Sequence, residues 1–345
     1  MNYSYFLGLD VSKKTVNYCL RHRAEVCAEV CAEVCGEGQV DNTPQALERL
    51  VSQLRATYDL SPVQLLCCVE NTGHYSNPAL LLTATAELHV WLEDPFQLSR
   101  CLGRRPTKTD QLDARAIAEY ADRFSDRHQR YELPQRAHHL LGELHALRCD
   151  LKQQQQRLTT RHNERRAFSL YAQTFDNAVL ERTVATFQTA LESGIKDLEA
   201  EILRVVAADA ELRQLNELVR SVPGMGPVTG VSVLLETGLF QKVPTARQAA
   251  AYAGLVAHRR QSGTAMNYQS RAGYGNQVLK TALHQGAHCL IAKPGPLRDF
   301  YRRLRDQGKP YKKAINAVRH KILRWVYACV KSGQLFDKSR HLGLA

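Results

Sequence analysis

Four carboxylates in this 345-residue chain stand where acids do chemistry rather than merely solvate a surface. Asp10 closes the apolar run Tyr5-Phe6-Leu7-Gly8-Leu9, and Glu70 closes a second run from Leu65 to Val69. Asp110 and Asp113 open a helical stretch, Thr109 to Phe124, and their spacing projects both carboxylates from one helix face. Carboxylates brought together repel one another. Mg²⁺, a hard cation that takes oxygen ligands and also binds phosphate oxygens, is the usual remedy. If the four converge, a Mg²⁺ site for phosphodiester chemistry is the first expectation.

A second group lies far along the chain. His258-Arg259-Arg260-Gln261-Ser262-Gly263-Thr264 sets a hydroxyl beside two guanidiniums, which can hold a scissile phosphate while Ser262 acts as a nucleophile. Arg-Arg-x-Ser is also common on basic surfaces, so the spacing alone leaves plain backbone binding open. Upstream, Val222-Pro223-Gly224-Met225-Gly226-Pro227 precedes the apolar stretch Val228 to Leu235 and resembles a helix-hairpin-helix. There Gly224 and Gly226 would let backbone N–H groups approach a phosphate, the alternative being a tight turn between packed helices.

These groups need elements to carry them. Tyr5 to Asp10, Val16 to His22 and Val26 to Val40 read as three strands of an antiparallel meander, opened by the turn Ser12-Lys13-Lys14. The tandem Ala-Glu-Val-Cys repeat from Ala24 to Cys35 fits an extended hairpin strand better than a metal cluster. Thr43-Pro44 starts a helix with Leu47, Leu50, Val51 and Leu54 at helical spacing. Val63 to Glu70 is a strand, Asn77-Pro78 starts a helix to about Glu87, His89 to Glu93 is a strand, and Thr109 caps the helix with the acid pair. Three strands followed by alternating β and α units is the ribonuclease-H-like order, with a domain over residues 1–133. Residues 134–215 read as a helical stalk. Leu140, Leu144, Leu147, Leu151 and Leu158 form one stripe and Val184, Phe187, Leu191, Ile195, Leu198, Ile202 and Val205 another, to pair as an antiparallel hairpin or with another subunit. Residues 216–345 form a mostly helical third domain.

Charge is uneven along these segments. Residues 220–345 hold 21 basic and only four acidic side chains, whereas the rest of the chain is mildly acidic. So strong a positive field points to a polyanionic partner, nucleic acid first. No apolar run reaches membrane-spanning length and no secretory signal opens the chain, so a cytoplasmic protein with ten reduced cysteines and no membrane is expected.

Taken together, Gly8-Leu9-Asp10-Val11-Ser12, Val69-Glu70-Asn71-Thr72-Gly73, Lys108-Thr109-Asp110-Gln111-Leu112-Asp113-Ala114, Val222-Pro223-Gly224-Met225-Gly226, Ala251-Tyr252-Ala253-Gly254-Leu255 and Ser262-Gly263 resemble, in that order, the DEDD transposases of bacterial insertion sequences, the insertion-sequence 110 family. The resemblance implies a RuvC-like N-terminal domain, a coiled-coil middle and a C-terminal transposase domain that recombine donor and target DNA under the direction of a structured bridge RNA. It places Asp10, Glu70, Asp110 and Asp113 on the family's metal tetrad and Ser262 on a serine that forms a phosphoserine linkage. It further implies a homo-oligomer, dimer or tetramer, in which one subunit's acids meet another's serine. Arg259, Arg260 and Arg271 are then candidates for phosphate contact near Ser262. Two other functions fit the residues: a RuvC-like junction endonuclease that uses metal-activated water, and a non-catalytic nucleic-acid-binding protein whose acids are caps and strand-end charges.

Overall fold

The alternating apolar runs of the first third build one mixed sheet. β1 (Tyr5–Val11), β2 (Thr15–Val26) and β3 (Glu29–Asp41) form the antiparallel meander, and β4 (Leu65–Glu70) and β5 (His89–Glu93) add in parallel beyond β1. The order is β3-β2-β1-β4-β5. The computed structural model describes residues 3–26, 29–102, 109–170, 177–256, 258–262, 266–270 and 275–338; at 24–26, 29–32, 258–262 and 266–270 only the backbone is described. These residues divide into two compact units, Met1–Pro134 and Gln135–Ala345.

In the first unit five helices join the strands: α1 (Pro44–Tyr58), α2 (Asn77–Leu80), α3 (Leu82–Thr85), α4 (Pro95–Leu102) and α5 (Asp110–Arg123). Thr43 Oγ1 accepts from the Ala46 amide at 3.2 Å, and Pro44 fits the first turn because its missing N–H has no helical partner there. The one helix expected from Asn77 to Glu87 is instead the short pair α2 and α3. β4 begins at Leu65 because Pro62–Gln64 forms a 3₁₀ turn closed by Ser61 and Gln64. α4 carries no strong signal in the sequence and was not expected.

Strand alternation sends apolar side chains to both faces. Leu7, Leu9, Cys67, Val69 and Val90 pack with Leu47, Leu50, Val51 and Leu54 of α1. Phe6, Leu66, Cys68 and Trp91 pack with Ile117, Tyr120 and Ala121 of α5. Burial pushes the Cys67 and Cys68 thiols far up, so both stay protonated core residues. The eight cysteines whose side chains are described are all free.

α5 lies unusually close to the sheet. A Cβ placed on Gly8 would stand 2.3 Å from the Ala118 amide nitrogen and 2.4 Å from the Ala114 carbonyl oxygen, so only glycine fits where the helix crosses β1. Ala114 and Ala118, one turn apart, present the small surface this requires and pack on Cys19 of β2. Gly8→Ala is expected to push α5 off the sheet and to lower stability by about 3 kcal/mol, at the upper end of overpacking costs, read as a fall in thermal midpoint.

The second unit is helical apart from one hairpin. It contains α6 (Arg136–Phe168), α7 (Ala178–Ala208), α8 (Ala210–Ser221), α9 (Pro227–Glu236), α10 (Ala246–Tyr252), β6 (His258–Ser262), β7 (Met266–Ser270), α11 (Gln277–Ala292), α12 (Pro296–Asp306) and α13 (Tyr311–Ser332). α6 and α7 pair antiparallel within the chain, through Arg148 to Glu199, Gln155 to Glu192, Gln188 to Thr159 and His162 to Glu181. At their base Leu141, Ile202 and Val206 share a core with Leu212 of α8 and Val231 of α9. α8 to α13 enclose a separate core that includes Val219, Leu234, Leu283, Ile322 and Val326. Among the described residues no helix is long and apolar enough to cross a membrane.

His145 ties α6 to α9, with a 2.7 Å hydrogen bond between its Nε2 and Ser232 Oγ. Burial, reinforced by the Arg148 charge, holds its pKa down at about 4 against an ordinary 6.5. Because the folded value is the lower one, the unfolded chain takes up the proton first. Stability should therefore be lost as pH falls from about 6.5 towards 4, by up to roughly 3 kcal/mol for this group. Denaturant unfolding across that range should show the loss in wild type and a smaller slope in His145→Gln.

Candidate active site

The acid-bearing elements bring the four sequence-selected carboxylates to one edge of the first unit. β1 and β4 are parallel with Leu9 opposite Val69, so Asp10 and Glu70 follow side by side at the carboxyl ends of adjacent strands. Ligands bind outside such strand ends in open sheets. By alternation both lie on the face of Phe6, Gly8, Leu66 and Cys68, which is the face covered by α5.

α5 runs opposite to β1. Its later residues Ile117, Tyr120 and Ala121 pack near Phe6, its middle rests on Gly8, and its first turn lies towards Asp10. Three polar links hold that course. Gln111 Nε2 donates to the Tyr18 carbonyl at 3.0 Å, and Tyr18 pairs with Leu9 next to Asp10. Arg115 grips Glu37 of β3 with two bonds of 2.5 Å and holds that carboxyl below its usual range. Arg23 Nε donates to Asp122 Oδ1 at 2.6 Å at the far end. Thr109 Oγ1 accepts from the Leu112 amide at 3.3 Å, fixing where the helix begins. Asp110 thus continues the row of Ala114 and Ala118 over β1, and Asp113 continues the row of Ile117 and Ala121 on the β4 side.

Two further residues of this edge were missed in the sequence. Glu93 ends β5 opposite Glu70, on the same face, and its Oε2 accepts from Tyr120 Oη of α5 at 2.9 Å. The signal was present, since Glu93 closes an apolar strand as Asp10 and Glu70 do. Asn17 stands opposite Asp10 across the antiparallel pair, is 6% exposed, and leaves its buried Nδ2 without a hydrogen-bond partner. No sequence pattern marks Asn17; it follows only from register.

The donor set at this edge is carboxylate oxygen, the chemistry a hard divalent cation takes. The orphaned Asn17 amide supplies a donor for an oxygen anion beside Asp10. As placed, however, no three His, Cys, Asp or Glu side chains among the described residues come close enough together to hold a metal ion. The fold gives the carboxylates a common edge and face and does not draw them into a ligand cluster.

The other sequence-selected residues belong to the second unit. Ser262 is the last residue of β6 and pairs with Met266, while Arg259 and Arg260 pair with Gln269 and Tyr268; only their backbone is described. Arg271 lies outside the described residues. The hairpin is rooted where Gly254 and Gly275 approach too closely for a Cβ on Gly275. Asn276 reinforces the root, its amide N–H bonded to the Tyr252 carbonyl at 2.7 Å and its Nδ2 to Glu236 Oε2 at 2.5 Å. Gly224, at φ 86°, turns the chain between α8 and α9, and a Cβ there would lie 2.8 Å from the Gly286 carbonyl of α11. Helix packing by itself therefore requires Gly224. Gly226 is the N-cap of α9.

Tyr120→Phe leaves Glu93 without its donor from α5 and should cost about 1–2 kcal/mol of stability. The thermal midpoint of the variant should fall with the fold retained by circular dichroism.

A family model for DEDD transposases of IS110 matches residues 7–164, and the model described as transposase IS116/IS110/IS902 family matches residues 216–302. The pilin gene-inverting protein of Moraxella bovis is 25% identical over 97% of this chain and 98% of its own length. The uncharacterized 43.6 kDa protein of insertion element IS110 from Streptomyces coelicolor is 28% identical over 47% of this chain and 39% of its own. A solved structure of Thermus thermophilus RuvC aligns with 35% of this chain and 96% of its own at 15% identity, with a TM-score of 0.27.

Proposed function

The chain belongs to the IS110 family of DEDD transposases, and from that premise we propose that it cuts and rejoins DNA strands at the edge shared by Asp10, Glu70, Asp110 and Asp113, with Ser262 as nucleophile. The observation that carries the reading is the placement of two strand-end acids and a helix-borne acid pair on one face of a sheet of order β3-β2-β1-β4-β5. A non-catalytic protein has no need of four acids so arranged.

On this reading Asp10, Glu70, Asp110 and Asp113 hold Mg²⁺, and Glu93 and Asn17 flank them. The bound ion supplies Lewis-acid polarisation of the phosphate and stabilisation of the leaving 3′ oxygen. Ser262 Oγ attacks the phosphorus, the P–O3′ bond breaks, and the serine proton leaves to solvent. The released 3′ oxygen takes up a proton. Another 3′ hydroxyl then loses its proton and attacks the phosphoserine, the Ser262 Oγ–P bond breaks and the serine oxygen is reprotonated. DNA is thus rejoined without an external energy source, because one phosphodiester-level ester replaces another. Arg259, Arg260 and Arg271 neutralise the phosphate beside the serine.

The basic second unit supports a nucleic-acid partner, read on the family's pattern as donor and target DNA together with a bridge RNA. The α6–α7 pair serves as a coiled-coil stalk for assembly and the α8–α9 turn as a helix-hairpin-helix. Phe168, Leu170, Val179 and Phe187 lie exposed on the stalk, apolar surface consistent with a second copy. Cytoplasmic action on DNA follows from the same reading.

Labelled DNA with the protein and Mg²⁺ should give a protein–DNA adduct that survives denaturation. Asp10→Asn and Asp113→Asn should each reduce adduct by at least about 100-fold, the scale of lost metal or oxyanion stabilisation, and Ser262→Ala should abolish it. Cleavage without adduct would assign the protein to water-using junction nucleases. Undiminished processing in Asp10→Asn would take the acids out of the chemistry, and DNA binding by wild type with neither cleavage nor adduct would leave binding alone.

A further inference from the structure

A buried arginine without a counter-ion lies on α13, far in sequence from every residue assigned above. Arg319 is 8% exposed, donates from Nη1 to Asn316 Oδ1 at 2.7 Å, and has no hydrogen-bond partner for Nε. Among the described residues it makes no ion pair. Residues 277–332 contain 13 basic side chains and two acidic ones, Asp299 and Asp306, both exposed on α12.

Further donors lie on the adjoining α11 and at the start of α13. His284 of α11 packs edge-on against His288 at 4.5 Å, and His288 Nε2 shares a 2.7 Å hydrogen bond with Tyr311 Oη at the start of α13. Nδ1 of His284 is buried and has no partner. Burial followed by the Arg319 charge lowers the His284 pKa, and Tyr311 acts electrostatically on Arg319. His288 and Tyr311 are exposed, so the group opens to solvent on that side.

Taking a guanidinium out of water costs free energy that an intramolecular carboxylate normally offsets, and among the described residues no carboxylate pairs with it. Arginine's planar fork fits two oxygens of a phosphate, and a neutral histidine and a tyrosine hydroxyl add single donors. We propose that Arg319, with His284, His288 and Tyr311, forms a pocket between α11 and α13 that takes a backbone phosphate of the bound nucleic acid. It rests on the nucleic-acid reading above, but its residues belong to neither the acid edge nor the Ser262 hairpin. The guanidinium N–H groups not taken by Asn316 are the part of the site left for the ligand.

Full-length wild type, Arg319→Met and Arg319→Lys test it. Arg319→Met should be at least as thermally stable as wild type, because a hydrophobic isostere removes an uncompensated buried charge. It should nevertheless bind labelled nucleic acid more weakly, with the slope of log affinity against log salt smaller by about one contact, roughly 0.9 for duplex DNA or 0.7 for a single strand. Arg319→Lys should retain part of the affinity. A loss confined to duplex DNA assigns the phosphate to DNA, and one confined to structured RNA assigns it to RNA. In wild type, inorganic phosphate should shift the imidazole NMR signals of His284 and His288, a readout that needs no variant and no nucleic acid. A destabilised Arg319→Met with unchanged salt slopes for both polymers would make the arginine structural and overturn the proposal. So would histidine signals unmoved by phosphate, or a phosphate response with neither polymer affected. Wild type that binds neither polymer would instead defeat the broader reading.

Discussion

Everything at the acid edge depends on one steric contact, the seating of α5 on Gly8. A helix above an ordinary strand keeps its distance because side chains from both surfaces lie between them. Here β1 offers a hydrogen and α5 offers two alanine methyls, so backbone meets backbone. The gain is positional. Once the crossing point is fixed, the helix has little freedom to slide, and the first turn, with Asp110 and Asp113, is delivered beside the ends of β1 and β4.

Polar contacts then set the direction of the helix. Gln111 to Tyr18, Arg115 to Glu37 and Arg23 to Asp122 tie its start, middle and end to β2 and β3, the antiparallel side of the sheet. Tyr120 to Glu93 ties it to β5 on the parallel side. These links lie on both flanks, so rotation about the Gly8 contact strains one set whichever way it goes. The exposed Arg115–Glu37 pair adds little stability by itself; its value is in orientation. The carboxylates are aligned on one edge, and among the described residues they form no ligand cluster.

Much of this was legible in the sequence, for identifiable reasons. Strand-end acids announce themselves because the apolar run before each is a strand buried on both faces, and β1, β4 and β5 appeared at or near their observed bounds. The cap at Thr109 could be read because side-chain capping is local chemistry. Where long-range packing decides, the sequence was silent. Gly8 looked like part of a motif and not like a helix crossing. Gly224 invited a phosphate reading, while its close approach to Gly286 joins residues far apart in the chain. Asn17 is invisible without the β1–β2 register, and Arg319 resembled any other basic residue until its burial was known. Glu93 was readable by the rule that found Asp10 and Glu70.

The central claim is that Asp10, Glu70 and the Asp110–Asp113 pair surround one divalent ion. Replacing Mg²⁺ by Fe²⁺, whose oxygen chemistry generates hydroxyl radicals at the bound metal, and mapping the resulting backbone cuts tests this directly. The account predicts cuts clustered in three short segments, around residue 10, around residue 70 and around residues 110–113, all suppressed together by excess Mg²⁺. Cuts near only one of the three, or cuts concentrated elsewhere in the chain, would contradict it.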